Sequence, residues 1–193
     1  MKYFLTIVVL AFAMNASAQG LFSITYDISV PMGEMKDYIS TTSARGVSID
    51  GRGYINDVAT VGGNFSWHTF YEAIPSRSET FGGTRTLTGQ QWRYVNSFPL
   101  MINAHYYFAD EFSLRPYIGG GLGTTHVIKS TNFGVYTIED KNWHFGIQPE
   151  IGVLVPMGLS DTKLMAKIKY NYAFKTKETI NYSYLSFNVG FAF

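Results

Sequence analysis

The feature that most constrains this chain is alternation. In "YLSFNVGFAF" (184–193), Leu185, Phe187, Val189, Phe191 and Phe193 take every odd position, and Tyr184, Ser186, Asn188, Gly190 and Ala192 take the even ones. A period of two describes an extended strand with one apolar face and one polar or small face. The same period recurs where Phe22, Ile24, Tyr26, Ile28 and Val30 face away from Ser23, Thr25, Asp27 and Ser29. It recurs again where Trp143, Phe145, Ile147, Ile151 and Val153 oppose His144, Gly146, Gln148, Glu150 and Gly152. Past residue 18 no apolar run is long enough for a spanning helix, so the chain is expected to be built of strands.

The alternation predicts eight strands, at about 21–32, 44–55, 58–72, 89–108, 114–130, 142–155, 162–175 and 179–193. Asn56-Asp57 reads as a two-residue hairpin, and "ADEF" (109–112) and "MGLSD" (157–161) as short turns. The connections 33–43, 73–89 and 131–141 are longer and polar, and "KTKETIN" (175–181) is modest. Pro99 falls inside the fourth strand, and a proline cannot donate to a ladder, so a bulge or kink is expected there; Pro149 raises a milder version of the same expectation.

Residues 1–18 read as a secretory signal peptide: basic Met1-Lys2, the apolar run Tyr3–Met14, and the A-x-A pattern of Ala16-Ser17-Ala18, with cleavage before Gln19. Residues 19–193 then form one domain, with no linker or internal repeat. Their formal charge is about zero, which offers nothing for nucleic acid. The chain has no cysteine, so neither a disulfide framework nor a lipidated N-terminal cysteine is available. Charged residues are 15% and aromatics 17%, a poor match to a water-soluble domain.

Alternation alone does not say which face is inside. The placement of the aromatics does. Trp67, Tyr71, Trp92, Tyr94, Trp143, Tyr172 and Phe174 fall at the long-connection ends of their strands, and Phe22, Tyr106, Phe108, Phe191 and Phe193 at the short-turn ends. Aliphatic residues such as Val61, Leu100, Ile102, Ile118, Ile147 and Ile151 lie between. Two aromatic belts around an aliphatic band match the two interfaces of a bilayer. The opposite face carries few ionised groups: Asp27, Asp50, Arg52, Arg93, His105, Arg115, Glu150, Lys163, Lys167 and Lys169. The expected fold is therefore all-β, an eight-stranded antiparallel up-and-down transmembrane β-barrel, apolar outside and polar within. A soluble barrel of lipocalin type is the competing arrangement. It would place Ile147, Ile151 and Phe187 at a shared centre and Glu150 and Lys167 in water.

The terminal alternation, "RPYIGGGLG" (115–123) and "FPLMINAHYYF" (98–108) resemble the small outer-membrane β-barrels of Gram-negative bacteria, of the OmpA-barrel, OmpX and OmpW type. The resemblance implies an outer-membrane location. It implies as partners the lipid bilayer with lipopolysaccharide and, during biogenesis, periplasmic chaperones and the barrel-assembly machinery. Tyr184, Phe187, Phe191 and Phe193 would carry the assembly signal, and the barrel would be a monomer.

No cofactor is implied. Asp27, Asp50, Arg52, Arg93, His105, Arg115, Glu150, Lys167 and Lys169 are expected to form a polar network in the lumen, with Glu150 and Lys167 side by side across the 156–161 turn. "GGGLG" (119–123) is not followed by a helix, so it reads as space for bulky lumenal neighbours and not as a phosphate loop. His68, His105 and His144 fall on the lumenal face, without the spacing of a metal site. His126 turns outward with Ser130, near Glu139 and Asp140. Lipid A deacylases are similar in outline, but Ile128 stands where their His-x-Ser spacing would place serine, so the expected role of His126 is that of a belt residue. The leading functional reading is a non-enzymatic structural or surface-interaction barrel. The alternatives are a narrow channel for small or hydrophobic molecules and a lipid A-modifying enzyme.

Overall fold

A chain whose strands are apolar on one face and polar on the other can bury one face against a second layer or by closing the sheet on itself, and this chain closes. The computed structural model describes residues 20–81, 85–109, 113–133, 136–158, 161–176 and 179–193, with backbone alone for 76–81 and 85–88. The expected signal peptide, 1–18, lies outside the described residues. Eight strands follow in order: β1 (Gly20–Met32), β2 (Ser43–Asn56), β3 (Ala59–Phe81), β4 (Arg85–Tyr107), β5 (Arg115–Phe133), β6 (Tyr136–Pro156), β7 (Lys163–Ala173) and β8 (Tyr182–Ala192). A short helix, α1 (Gly33–Tyr38), lies between β1 and β2.

Each strand pairs antiparallel with its sequence neighbour, and β8 pairs with β1, so the sheet is a closed barrel. The last bonds of the seam are Phe22 N–H to Phe193 O (2.9 Å) and Phe193 N–H to Phe22 O (2.7 Å). Closure leaves no edge within the ring, the condition that hydrocarbon imposes on a spanning sheet.

The two faces are inverted relative to a water-soluble barrel. Ile102 is 73% exposed, Trp143 62%, Ile151 56% and Phe187 42%, whereas Glu150 is 4% exposed, Lys167 3% and Asp50 not at all. Ile151 and Phe187 do not converge on a centre, which removes the lipocalin-type arrangement. The whole belt set, Trp67, Tyr71, Trp92, Trp143, Tyr172, Phe191 and Phe193, has the parity of the outer wall.

Three expectations need correction. The connections 73–89 and 131–141 are not loops. β3 and β4 stay paired out to Phe81 opposite Arg85, and β5 and β6 out to Phe133 opposite Tyr136. Outside the apolar band both faces can meet water, so alternation fades while the backbone ladder continues; residues 136–141 are exposed at every position. The ladder partners of the first hairpin are Asn56 and Ala59, so its two turn residues are Asp57-Val58, one position later than read.

Pro99 and Pro149 also cause no bulge. β4 and β5 keep one continuous register through Pro99 opposite Thr125, and β5 and β6 through Pro149 opposite Gly120. On the other side of each proline two bridging pairs are missing, between Phe65 and His68 of β3 and between Ile147 and Glu150 of β6, and the register resumes unchanged. Each missing donor is thus absorbed on one side by losing local pairing, with the register kept on both sides.

Glycines make room for the interior side chains. A Cβ on Gly152 would stand 2.6 Å from the Tyr117 ring, and one on Gly119 2.3 Å from His105. On Gly120, whose exposed position faces outward, a Cβ would meet nothing within 4 Å. Gly152→Val is expected to lower the unfolding free energy in lipid vesicles by about 1–3 kcal/mol through overpacking, and Gly120→Val to change it by no more than about 0.5 kcal/mol. Urea titration followed by tryptophan fluorescence measures both.

Candidate functional site

The lumen is filled in three layers. At the short-turn end, Leu21, Tyr107, Tyr117, Leu154, Met165 and Ala192 form an apolar and aromatic plug with Tyr54 packed against it. At the long-connection end, Phe70, Val95, Val127, Ala173, Tyr182 and Tyr184 form a second apolar layer. Between them lies a band of buried ionised groups.

That band contains seven of the nine expected network residues. Lys167 Nζ donates to Asp50 Oδ2 at 2.6 Å and lies 4.0 Å from Glu150 Oε2. Arg52 Nη2 donates to Glu150 Oε1 at 3.0 Å and lies 3.6 Å from Asp50 Oδ1. His105 Nε2 stands 2.8 Å from Glu150 Oε1. Lys169 Nζ donates to Ser48 Oγ (3.0 Å) and Ser66 Oγ (3.3 Å), and Ser48 Oγ in turn donates to Asp27. Thr25 Oγ1 also donates to Asp27 Oδ1, at 2.9 Å. Three acidic side chains, Asp27, Asp50 and Glu150, are therefore matched in number by three basic ones, Arg52, Lys167 and Lys169. Buried charges persist when each has a partner and its remaining hydrogen-bonding capacity is filled.

Two expected members stand apart from this band. Arg115 lies at the short-turn end, where Nε donates to Ala109 O (2.9 Å) and Nη1 to Tyr54 OH (3.0 Å), and its guanidinium sits 4.2 Å from the Tyr107 ring centroid. Arg93 lies at the other end, donating from Nη1 to Tyr38 O (3.0 Å) and from Nη2 to Gln91 Oε1 (3.3 Å). The expected pairing of Glu150 beside Lys167 also shifts: Glu150 faces Lys169 in the ladder, and Lys167 faces Gly152. The 156–161 turn takes more residues than symmetric counting allows, and Lys167 meets Glu150 only along a diagonal.

A feature absent from the sequence reading closes the long-connection mouth. Gly33 has φ +54°, a conformation that turns the chain from β1 into the barrel opening. α1 then places Met35, and the residue following the helix, Ile39, fully buried against Phe70, Val95 and Val127. Tyr38 OH donates to Ser130 O at 3.1 Å, Glu34 Oε2 accepts from Asn181 N–H at 2.7 Å, and Glu72 accepts from Ser40 N–H and Oγ–H at 2.9 and 2.7 Å. The segment is a strap pinned to β3, β5 and the β7–β8 connection. Its sequence signal was a lone apolar pair, Met35 and Ile39, at helical spacing within a polar stretch.

Of the histidines, His68, His105 and His144 are buried. His126 is on the outer wall, but it does not gather with Ser130 and an acid. Ser130 is four residues further along the strand, about 13 Å, and Glu139 pairs with Lys141 at 2.6 Å. The His126 ring instead lies between Phe98 (6.2 Å) and Trp143 (4.7 Å). Tyr184 of the expected assembly signal points inward, its OH 3.2 Å from Ser97 Oγ, while Phe187, Phe191 and Phe193 face outward.

Replacing one member of a buried pair strands the other. Asp50→Asn is expected to destabilise the barrel by about 3–5 kcal/mol, and Asp50→Asn combined with Lys167→Met to recover most of that loss. Unfolding free energies in vesicles, compared across the double-mutant cycle, measure the coupling.

Comparison with known proteins agrees with this geometry. Neisserial surface protein A superposes with a TM-score of 0.58 at 16% identity, over 91% of this chain and 96% of that one. Ail, the attachment invasion locus protein of Yersinia pestis, gives 0.52 at 11% identity, over 90% and 97%. Among individually curated protein sequences none matches. The family described as "Outer membrane protein beta-barrel domain" matches residues 4–193, and the chain belongs to it.

Proposed function

We propose that this protein is a non-enzymatic barrel of the bacterial outer membrane whose lumen is closed and whose outward-projecting hairpins and strap meet the exterior. The observation that carries this reading is the filling of the lumen: two apolar layers enclose a charge-balanced band, with Met35 and Ile39 seated in the mouth. An eight-stranded barrel has an interior just wide enough for side chains, and here the side chains occupy it. That argues against the channel reading.

The same arrangement supports a surface role. β3 with β4, and β5 with β6, continue past the apolar band as paired ladders on which exposed residues such as Tyr136 and Ile138 stand clear of the barrel. Binding function concentrates on such projecting segments held by a rigid scaffold. Residues 1–18 serve as the export signal in this reading, and the long-connection end faces outward, as is usual for such barrels. Lipopolysaccharide is the surrounding lipid, and Phe187, Phe191 and Phe193 present the outward face of the closing strand to the assembly machinery.

Two measurements test the proposal. The exported protein should require detergent for extraction and should migrate differently before and after boiling. In planar bilayers it should give no stable conductance steps. Regular steps abolished by a tether between the strap and the barrel wall would replace the closed-barrel reading with the channel reading.

A further inference from the structure

Among the described side chains, the outward strand positions are almost free of Asp, Glu, Lys, Arg and His. The exceptions are Arg45 on β2, His126 on β5, and Glu139 and Lys141 on β6. Among the described side chains, the outward faces of β1, β4, β7 and β8 carry no Asp, Glu, Lys, Arg or His. Three of the four exceptions lie on one adjacent pair of strands, β5 and β6.

The register brings His126 and Lys141 together. His126 faces Trp143, and Lys141 faces Ile128, so Lys141 is the diagonal neighbour of His126. Such diagonal pairs lie about 7–8 Å apart, a span that one tetrahedral anion bridges. His126 is held in place by a ladder of rings across four strands: Trp67 on Phe98 at 6.0 Å, Phe98 on His126 at 6.2 Å, and His126 on Trp143 at 4.7 Å. The ladder fixes the imidazole on the outer wall at the depth where apolar side chains give way to polar ones. On the lipid side of His126 along the strands lie Phe65, Leu100, Thr124 and Phe145. On the other side lie the Thr69–Asn96 hydrogen bond (2.7 Å) and the Glu139–Lys141 pair. A cation at a headgroup depth meets lipid phosphates, and an imidazole N–H beside it supplies a directed donor.

We propose that His126 and Lys141 form a binding site on the outer wall for the phosphate group of a lipid headgroup, with Trp143 and Phe98 packing against the glycerol or sugar region and first acyl carbons. Glu139 competes with the phosphate for Lys141. The proposal rests on the reading of this wall as lipid-facing and adds to it a specific site and ligand class.

Native mass spectrometry of the full exported chain, released from nanodiscs of phosphatidylcholine with or without phosphatidic acid, tests it. Phosphatidic acid should be retained over phosphatidylcholine. His126→Phe, which keeps a ring in the ladder, and Lys141→Gln should each lower that retention about threefold, and Glu139→Gln should raise it. Excess inorganic phosphate should leave the lipid bound, because the acyl chains anchor it. Equal retention of the two lipids, or unchanged retention in His126→Phe, would overturn the site. Displacement by inorganic phosphate would reassign it to a free anion. A protein that never enters the nanodisc, seen as a band whose mobility ignores heating, would instead sink the membrane reading itself.

Discussion

Everything in this barrel depends on the pairing of its main chain. A sheet surrounded by hydrocarbon has no water to receive an unpaired N–H or C=O, and each one left open costs several kcal/mol. The seam between Phe22 and Phe193 is therefore a requirement of the solvent as well as of the chain. The tolerance of Pro99 and Pro149 follows the same logic. Each gives up pairing on one side while holding register on both, since a slip of one residue would send every ionised lumenal side chain into lipid.

Closure in turn creates the interior problem. A ring of eight strands encloses a narrow space, and the residues pointing into it are polar by the same alternation that makes the outside apolar. Charge balance among Asp27, Asp50, Glu150, Arg52, Lys167 and Lys169 resolves the electrostatics. Glycines opposite Tyr117 and His105 resolve the volume. Apolar and aromatic layers at both ends shield the ionic band from bulk water, which strengthens the pairings within it. Such a lumen is a structural core made of charges.

The strap shows what alternation leaves unsaid. A strand pattern can be read from parity because each residue has only two choices, in or out. Met35 and Ile39 enter the barrel from a segment with no such parity, and their burial depends on a turn at Gly33 and on partners in β3, β4, β5 and β8. The outer hairpins failed to be legible for the opposite reason. With water on both faces nothing forces alternation, and the backbone pairs without leaving a trace in side-chain pattern. The aromatic ladder is intermediate: the outward parity of Trp67, His126 and Trp143 was legible, but their alignment through Phe98 across four strands needed the register.

The amino-acid order by itself determined the strand number and which face of each strand is apolar, because a period of two encodes orientation one residue at a time; the aromatic belts and the sparsely charged opposite face then pointed to an inverted barrel. Only the tertiary structure decided which charges meet. Glu150 faces Lys169, Lys167 reaches Asp50, and Arg93 and Arg115 work at opposite ends. Those pairings are set by register and by the angular position of strands around the ring. Both are properties of the closed sheet, which no single strand contains.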